Sequence, residues 1–247
     1  MKISESYFNV QGEGITQGVS AYFIRLTGCN LMCGGNSGNL VEKGKASWRC
    51  DTEAVWKKGK TVTNKELLSL FNQEGILERI LSGEVHIIWT GGEPLLQQKG
   101  IKGFLDHINN QFNPNKVYSE IETNGTIIAE SKFYGGTIMQ VNCSPKLSNS
   151  GMPLDKVIIP QALRQIAKYE NSWFKFVINN ESDIKEMEQN FISTFEIQKR
   201  RIILMPAVDN LRDLPEKTRL CYEMTKKYGY RTITRGHILA WGRTTGV

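Results

Sequence analysis

The chain has 247 residues, 40% of them hydrophobic and 23% charged, with a formal net charge of +6. That length lets one large α/β domain bury about 70–75% of its unfolded surface without a disulfide scaffold, and the even composition excludes a disordered or low-complexity protein. No apolar leader region opens the chain and no window approaches ~18 apolar residues, so no membrane contact and a cytoplasmic location are expected. Lys and Arg are scattered. Their densest runs, 56–60, 199–201 and 226–227, lack interleaved aromatic residues, read as solvated faces, and predict no nucleic-acid partner.

In chain order, Gln11-Gly12-Glu13-Gly14 sets two glycines around a carboxylate. A nucleotide-binding loop is not expected, because no strand is read before it in a βαβ unit, no third glycine has the fingerprint spacing and no helix follows. A turn presenting Gln11 and Glu13 is expected instead, with close backbone approach at its glycines. The run 19–26 reads as a strand that ends near Arg25, whose planar fork suits a carboxylate.

The strand leads into Gly28-Cys29-Asn30-Leu31-Met32-Cys33, a spacer rich in Gly, Ser and Lys, and then Trp48-Arg49-Cys50-Asp51-Thr52. Thiolates gathered in one loop bind soft metal centres. A structural zinc site wants four ligands, whereas three thiolates suit a cubane of four irons with one iron left open. The alternative is unrelated buried cysteines, but a loop this polar offers little core to bury them. A reducing compartment also favours metal binding over disulfides.

Thr63-Asn64-Lys65-Glu66 has the capping-box form and predicts a helix over 65–71. A buried strand at 85–89 ends in Thr90-Gly91-Gly92-Glu93-Pro94, where two glycines let backbone groups touch a ligand and Pro94 suits a first helical turn. Further strands are predicted at 117–122, 138–143, 173–178, 201–205 and 230–234. Helices are predicted at 99–110, 182–195 and 215–228, the last stopped by Gly229. About six βα repeats imply one α/β domain whose parallel sheet is closed or partly closed, as in a TIM-like (β/α)6 barrel. Chemistry in such folds sits at the C-terminal strand ends. Arg25 with the cysteine loop, Thr90 to Glu93, Glu122 to Gly125, Ser144 to Lys146 and the segment around Lys175 therefore border one mouth. His86 and His107 read as ordinary core or surface histidines, and Cys143 and Cys221 as packed thiols.

These motifs resemble those of the radical S-adenosylmethionine (SAM) enzymes, which place three cysteines after the first barrel strand, commonly as C-x3-C-x2-C, and a Gly-Gly-Glu segment after the second. More narrowly, Gln11 to Gly14, Phe23 to Leu31, Cys50-Asp51-Thr52, Trp89 to Pro94, Glu122-Thr123-Asn124-Gly125 and Ser144-Pro145-Lys146 are similar to the 7-carboxy-7-deazaguanine synthase family. One departure stands out. Sixteen residues separate Cys33 from Cys50, where the common pattern has two, so 34–49 reads as an insertion that forms a flap or a partner contact.

The resemblance implies a partial (β/α)6 barrel of the radical SAM type with a 4Fe–4S cluster on Cys29, Cys33 and Cys50, whose open iron chelates SAM. Gly91, Gly92, Ser144, Pro145 and Lys146 then cradle SAM, with Lys175, Phe176, Val177 and Ile178 lining its far side or forming a plain core strand. An electron, from a donor such as flavodoxin, cleaves SAM to a radical that takes a hydrogen atom from 6-carboxy-5,6,7,8-tetrahydropterin. The ring contracts and loses ammonia to give 7-carboxy-7-deazaguanine, in 7-deazapurine biosynthesis of the queuosine type.

No side chain beyond the cofactor ligands is assigned a catalytic role. A magnesium ion is implied, with Thr52 as its protein contact and also a possible helix N-cap. Gln11, Gly12, Glu13, Arg25, Thr90 and Glu122 match positions around the pterin, where carboxylates suit N–H donors and Arg25 suits the substrate carboxylate. His237 and the terminal carboxylate of Val247 are candidates to close the pocket from a Gly-rich tail without a core pattern. A homodimer is also implied. Two readings compete: a glycyl-radical-enzyme activase acting on a protein, and a basic nucleic-acid-binding protein with a structural metal site.

Overall fold

The computed structural model describes residues 1–246 other than Asn115, Asp209, Arg243 and Thr245. Among the described residues, nine strands form one sheet: β1 (Lys2–Val10), β2 (Ser20–Leu26), β3 (Lys60–Thr61), β4 (His86–Gly91), β5 (Ser119–Thr123), β6 (Gln140–Cys143), β7 (Ser172–Ile178), β8 (Ile202–Pro206) and β9 (Arg231–Thr232). Their order is β3-β1-β2-β4-β5-β6-β7-β8-β9. From β2 to β9 each neighbouring pair is parallel, while β1 runs antiparallel to β2 and β3. Parallel strands need crossovers. Helices Asn64–Gln73, Gln98–Phe112, Pro160–Lys168, Glu181–Met187 and Leu214–Tyr228 supply most of that connecting chain.

β1 is a strand that the sequence reading does not predict, and it lies in a hairpin rather than a βαβ unit. Its apolar pattern is weak because Glu5, Tyr7 and Asn9 alternate toward a polar interior, where Tyr7 and Asn9 line the central cavity and Glu5 pairs with Arg25 at 2.7 Å. The nucleotide-loop reading still fails, because β1 and β2 form an antiparallel hairpin with no helix between them.

Period-two alternation separates two environments. Tyr22, Ile24, Ile87, Trp89, Phe174, Phe176 and Leu204 point outward and join Phe71, Phe104 and Phe191 in the main core under the helices. Each such side chain contributes about 1.5–3 kcal/mol on burial. The inward row mixes apolar side chains such as Phe23, Ile88 and Ile203 with buried polar groups. Glu120, fully buried, accepts from Thr16 Oγ1 (2.9 Å), Gln140 Nε2 (3.0 Å) and Asn142 Nδ2 (2.8 Å). His86 Nδ1 lies 2.6 Å from its other oxygen, so this histidine belongs to the interior network.

The sheet is curled. Seven strand spacings from β1 to β9 would separate those strands by roughly 34 Å if the sheet were flat. Instead Gly236, just past β9, donates its N–H to Gly12 O at 2.9 Å, and Gln17 Nε2 reaches Thr234 O at 3.2 Å. One backbone hydrogen bond and a few side-chain contacts thus close a partial barrel that no backbone ladder closes. The tail departs from its expected lack of core pattern, because Gly236–Trp241 is helical and buries Ile238 beside Val208 and Leu214. One buried apolar side chain on six residues is too little to show a period in sequence.

Candidate active site

A cavity of about 720 Å³ opens at the C-terminal ends of the strands, within the usual range for small-molecule sites. Cys29, Cys33, Cys50 and Thr52 line one part of it. The cysteine loop is docked on the end of β4, where Glu93 N–H donates to Gly28 O at 2.8 Å. A Cβ at Gly92 would stand 2.0 Å from Gly28 O and one at Gly91 2.2 Å from Leu26 O, so this contact requires the glycine pair. Cys50 N–H donates to Cys33 O at 3.1 Å, which joins the two arms of the loop.

Burial pushes the Cys33 thiol up to about 11 and raises that of Cys29. Metal ligation requires the thiolate, so a bound cation would have to displace these protons. Among the described residues no group of three or more His, Cys, Asp or Glu is gathered around a single ion site; in a cubane each thiolate meets a different iron. Thr52 precedes the helix Glu53–Trp56 and makes no side-chain cap. Its Oγ1 instead lies 3.5 Å from Cys50 Sγ and lines the cavity.

Gly91, Gly92, Ser144, Lys146, Lys175 and Val177 continue the lining. Lys146 Nζ donates to Ser144 Oγ at 3.0 Å. Three expectations on this side do not carry through at the side-chain level. Pro145 is buried outside the lining, and Phe176 and Ile178 are fully buried in the core beneath the helices. Alternation along β7 sends Lys175 and Val177 inward and their neighbours outward. Glu93 also faces away from the lining. Fully buried, it accepts from Thr123 Oγ1 (2.9 and 3.0 Å), Asn124 N–H (2.7 Å) and Leu95 N–H (2.9 Å). Burial outweighs these donors and lifts its carboxyl to about 7.

The other part of the cavity holds Gln11, Gly12, Glu13, Arg25, Thr90, Glu122 and His237. Glu122 accepts from Gln11 Nε2 (3.2 Å) and Thr90 Oγ1 (2.7 Å). Arg25 is held by Glu5 and by Tyr7 OH at 3.2 Å, which uses two of its five N–H donors. Glu13 meets Lys175, Arg235 at 2.8 Å and His237 at 3.8 Å. Burial alone would raise its carboxyl, but Lys175 and Arg235 overcome this and hold it well below the usual range. Burial lowers the His237 imidazole, which is therefore neutral at pH 7. Val247 lies outside the described residues.

The sequence assigns no role to Arg235, and none to Asp51 beyond its place in the Cys50-Asp51-Thr52 motif. The Arg235 guanidinium bonds Glu13, the Asp51 carboxylate and Val208 O, and so ties the segment after β9 to Cys50-Asp51-Thr52. Its position just past the last strand was the available signal, by the strand-end rule that picked out Arg25.

No protein-family model matches the chain. It is 28% identical over 251 residues to the 7-carboxy-7-deazaguanine synthase of Pyrobaculum aerophilum, covering 100% of this chain and 97% of the relative. Identity to the 7-carboxy-7-deazaguanine synthase of Aquifex aeolicus is 30% over 240 residues, covering 95% and 91%. A crystal structure of QueE from Escherichia coli has the same fold, with a TM-score of 0.67 at 24% identity over 96% of this chain and 94% of that one. With full-length matches of this extent, the chain belongs to the 7-carboxy-7-deazaguanine synthase family.

Proposed function

We propose that the protein converts 6-carboxy-5,6,7,8-tetrahydropterin to 7-carboxy-7-deazaguanine with loss of ammonia, as a radical SAM lyase. The observation that carries this reading is one cavity with three thiols in one part and a charged, hydrogen-bonding set in the other. Cys29, Cys33 and Cys50 hold the 4Fe–4S cluster. The glycine pair, Ser144, Lys146, Lys175 and Val177 form the SAM side. Three thiols that ionise on meeting iron and, at Lys146, a lysine without a salt-bridge partner among the described residues fit a cluster and a ligand bearing a carboxylate. When bound, the cluster and SAM supply a carbon-centred radical.

The chain's own residues bind and orient the pterin. Glu13, kept ionised by its two cations, is acceptor-only and suits amino and ring N–H donors. Glu122 adds a second carboxylate, aligned by Gln11 and Thr90. Arg25 offers its remaining donors to the substrate carboxylate. Neutral His237 donates or accepts one hydrogen bond. The Thr52 hydroxyl suits a magnesium ion, a hard cation that keeps water and substrate oxygens in its shell. Family resemblance further supports a one-electron donor such as flavodoxin, a homodimer, a cytoplasmic location and one domain carrying an insertion at 34–49. No helix among the described residues is long and apolar enough to cross a membrane.

The test is anaerobic cluster reconstitution followed by SAM, Mg2+, dithionite and the carboxypterin. The expected products are 5′-deoxyadenosine and 7-carboxy-7-deazaguanine by mass spectrometry. SAM cleavage without the deazaguanine would reject the substrate, and a colourless zinc protein would reject the reading altogether.

A further inference from the structure

We infer that the segment 34–49 builds part of the cofactor site through Trp48, whose indole holds the Lys146 ammonium where an amino-acid carboxylate of the cofactor meets it. The inference rests on the SAM reading above and extends it to residues of this chain's own long spacer.

The segment is pinned along its length. Gly34 N–H donates to Ser150 O and Ser47 N–H to Asn149 O, both at 2.8 Å. Ser37 N–H reaches both carboxylate oxygens of Glu53 at 3.1 Å. Leu40 and Ala46 press on Gly151, where a Cβ would stand 2.9 and 3.1 Å from their side chains. The spacer is a strut against the connection that follows Ser144-Pro145-Lys146.

Trp48 is placed by that strut. Its Nε1–H donates to Asn149 Oδ1 at 2.8 Å, and Asn149 Nδ2 donates to Val177 O at 2.9 Å, which registers the indole to β7. The side chain packs against two apolar clusters, one of Leu31, Cys33 and Val157 and one that includes Val177, Ile203 and Met205, while still lining the cavity.

Lys146 Nζ lies 5.6 Å from the centre of the indole ring, within the range in which an aromatic face attracts a cation. Its hydrogen bond goes to a neutral hydroxyl, and among the described residues it forms no salt bridge. A π face and a hydroxyl orient the ammonium without neutralising it. Its positive charge and free donors remain available to an anionic ligand.

Site-specific fluorinated tryptophans at position 48 keep the indole's shape while weakening the negative ring face. In the reconstituted protein, affinity for S-adenosylhomocysteine, read by calorimetry, is expected to fall stepwise with fluorine number. Trp48→Leu is expected to bind roughly tenfold more weakly. In a Lys146→Met background the same changes at Trp48 are expected to move the affinity less than about twofold, because the cation that the ring holds is gone. Iron content is expected to equal wild type throughout. Affinity independent of fluorination overturns the inference, as does an undiminished fluorine trend in the Lys146→Met background. A wild-type protein that holds its cluster but does not bind S-adenosylhomocysteine rejects the SAM reading itself, before any variant is compared.

Discussion

At Arg235 three acceptors converge on one buried guanidinium: Glu13 at 2.8 Å, Asp51 and the carbonyl of Val208. A planar fork spans such a set, whereas an ammonium on a flexible stem cannot. Arg235→Ala leaves the nearly enclosed Glu13 with one strong cation and is expected to cost about 3 kcal/mol of stability, since breaking an enclosed pair exposes the full desolvation penalty of the survivor. Because Glu13 lines the half of the cavity proposed for the pterin, the KM for the carboxypterin is expected to rise about tenfold, with Arg235→Lys intermediate. Denaturant unfolding and steady-state kinetics check both, and wild-type values in each would remove Arg235 from the site. Much of the rest was legible from local motifs. The cysteines, the glycine pair and Gln11 to Glu13 announce themselves by residue type and spacing. Arg235 and Asp51 do not, because their meaning lies in a contact between segments far apart in the chain.

Elements meet at Glu93, where the carboxylate that follows β4 receives Thr123 Oγ1 and Asn124 N–H at the end of β5. Its carboxyl stands at about 7 in the folded protein against an ordinary 4.5. A raised acid is protonated in the fold and ionised in the unfolded chain across that interval, so stability falls as the pH rises from 4.5 to about 7 and levels off above it. The interval corresponds to about 3 kcal/mol. Chemical unfolding of wild type and Glu93→Gln across that range is expected to differ by a slope of this sign. Parallel slopes would mean that Glu93 titrates normally.

Local signals in the elements carry unequal information. The capping box at Thr63 and Glu66 is present, with the Glu66 carboxylate 2.7 Å from Thr63 N. Pro160–Lys168 passed unread because its buried Ala162, Leu163 and Ile166 span too few residues to show a period. The helix expected over 182–195 is interrupted by a wide turn at Glu188–Ile192. Met187, Phe191 and Phe195 are all buried and recur every four residues. An α-helix would carry such a series about 40° round at each step, and a wider turn reduces that drift.

At the scale of the molecule, the parallel strands were readable from their apolar runs, but the curl and β1 were not. Closure depends on contacts between the two ends of the chain, and β1 hides behind an inward polar row. Substrate binding to Glu13 and His237 is expected to steady the junction they form with Arg235. Hydrogen exchange should then slow in 11–17 and 236–241 on adding the carboxypterin, with Gln98–Phe112 unchanged; equal protection everywhere would count against a local effect.

That junction has a kinetic consequence. Between neighbouring strands, opening the barrel means breaking a backbone ladder. Between the β1 and β9 ends it means parting Gly236 from Gly12, Gln17 from Thr234, and the Glu13 contacts with Arg235 and His237. Local opening follows the path that disrupts the fewest protected backbone bonds. The seam is therefore where the barrel breathes most readily, which makes it the natural route for a bulky bicyclic substrate to enter and its ring-contracted product to leave. Exchange through it is governed by how fast this small set of backbone and side-chain contacts parts.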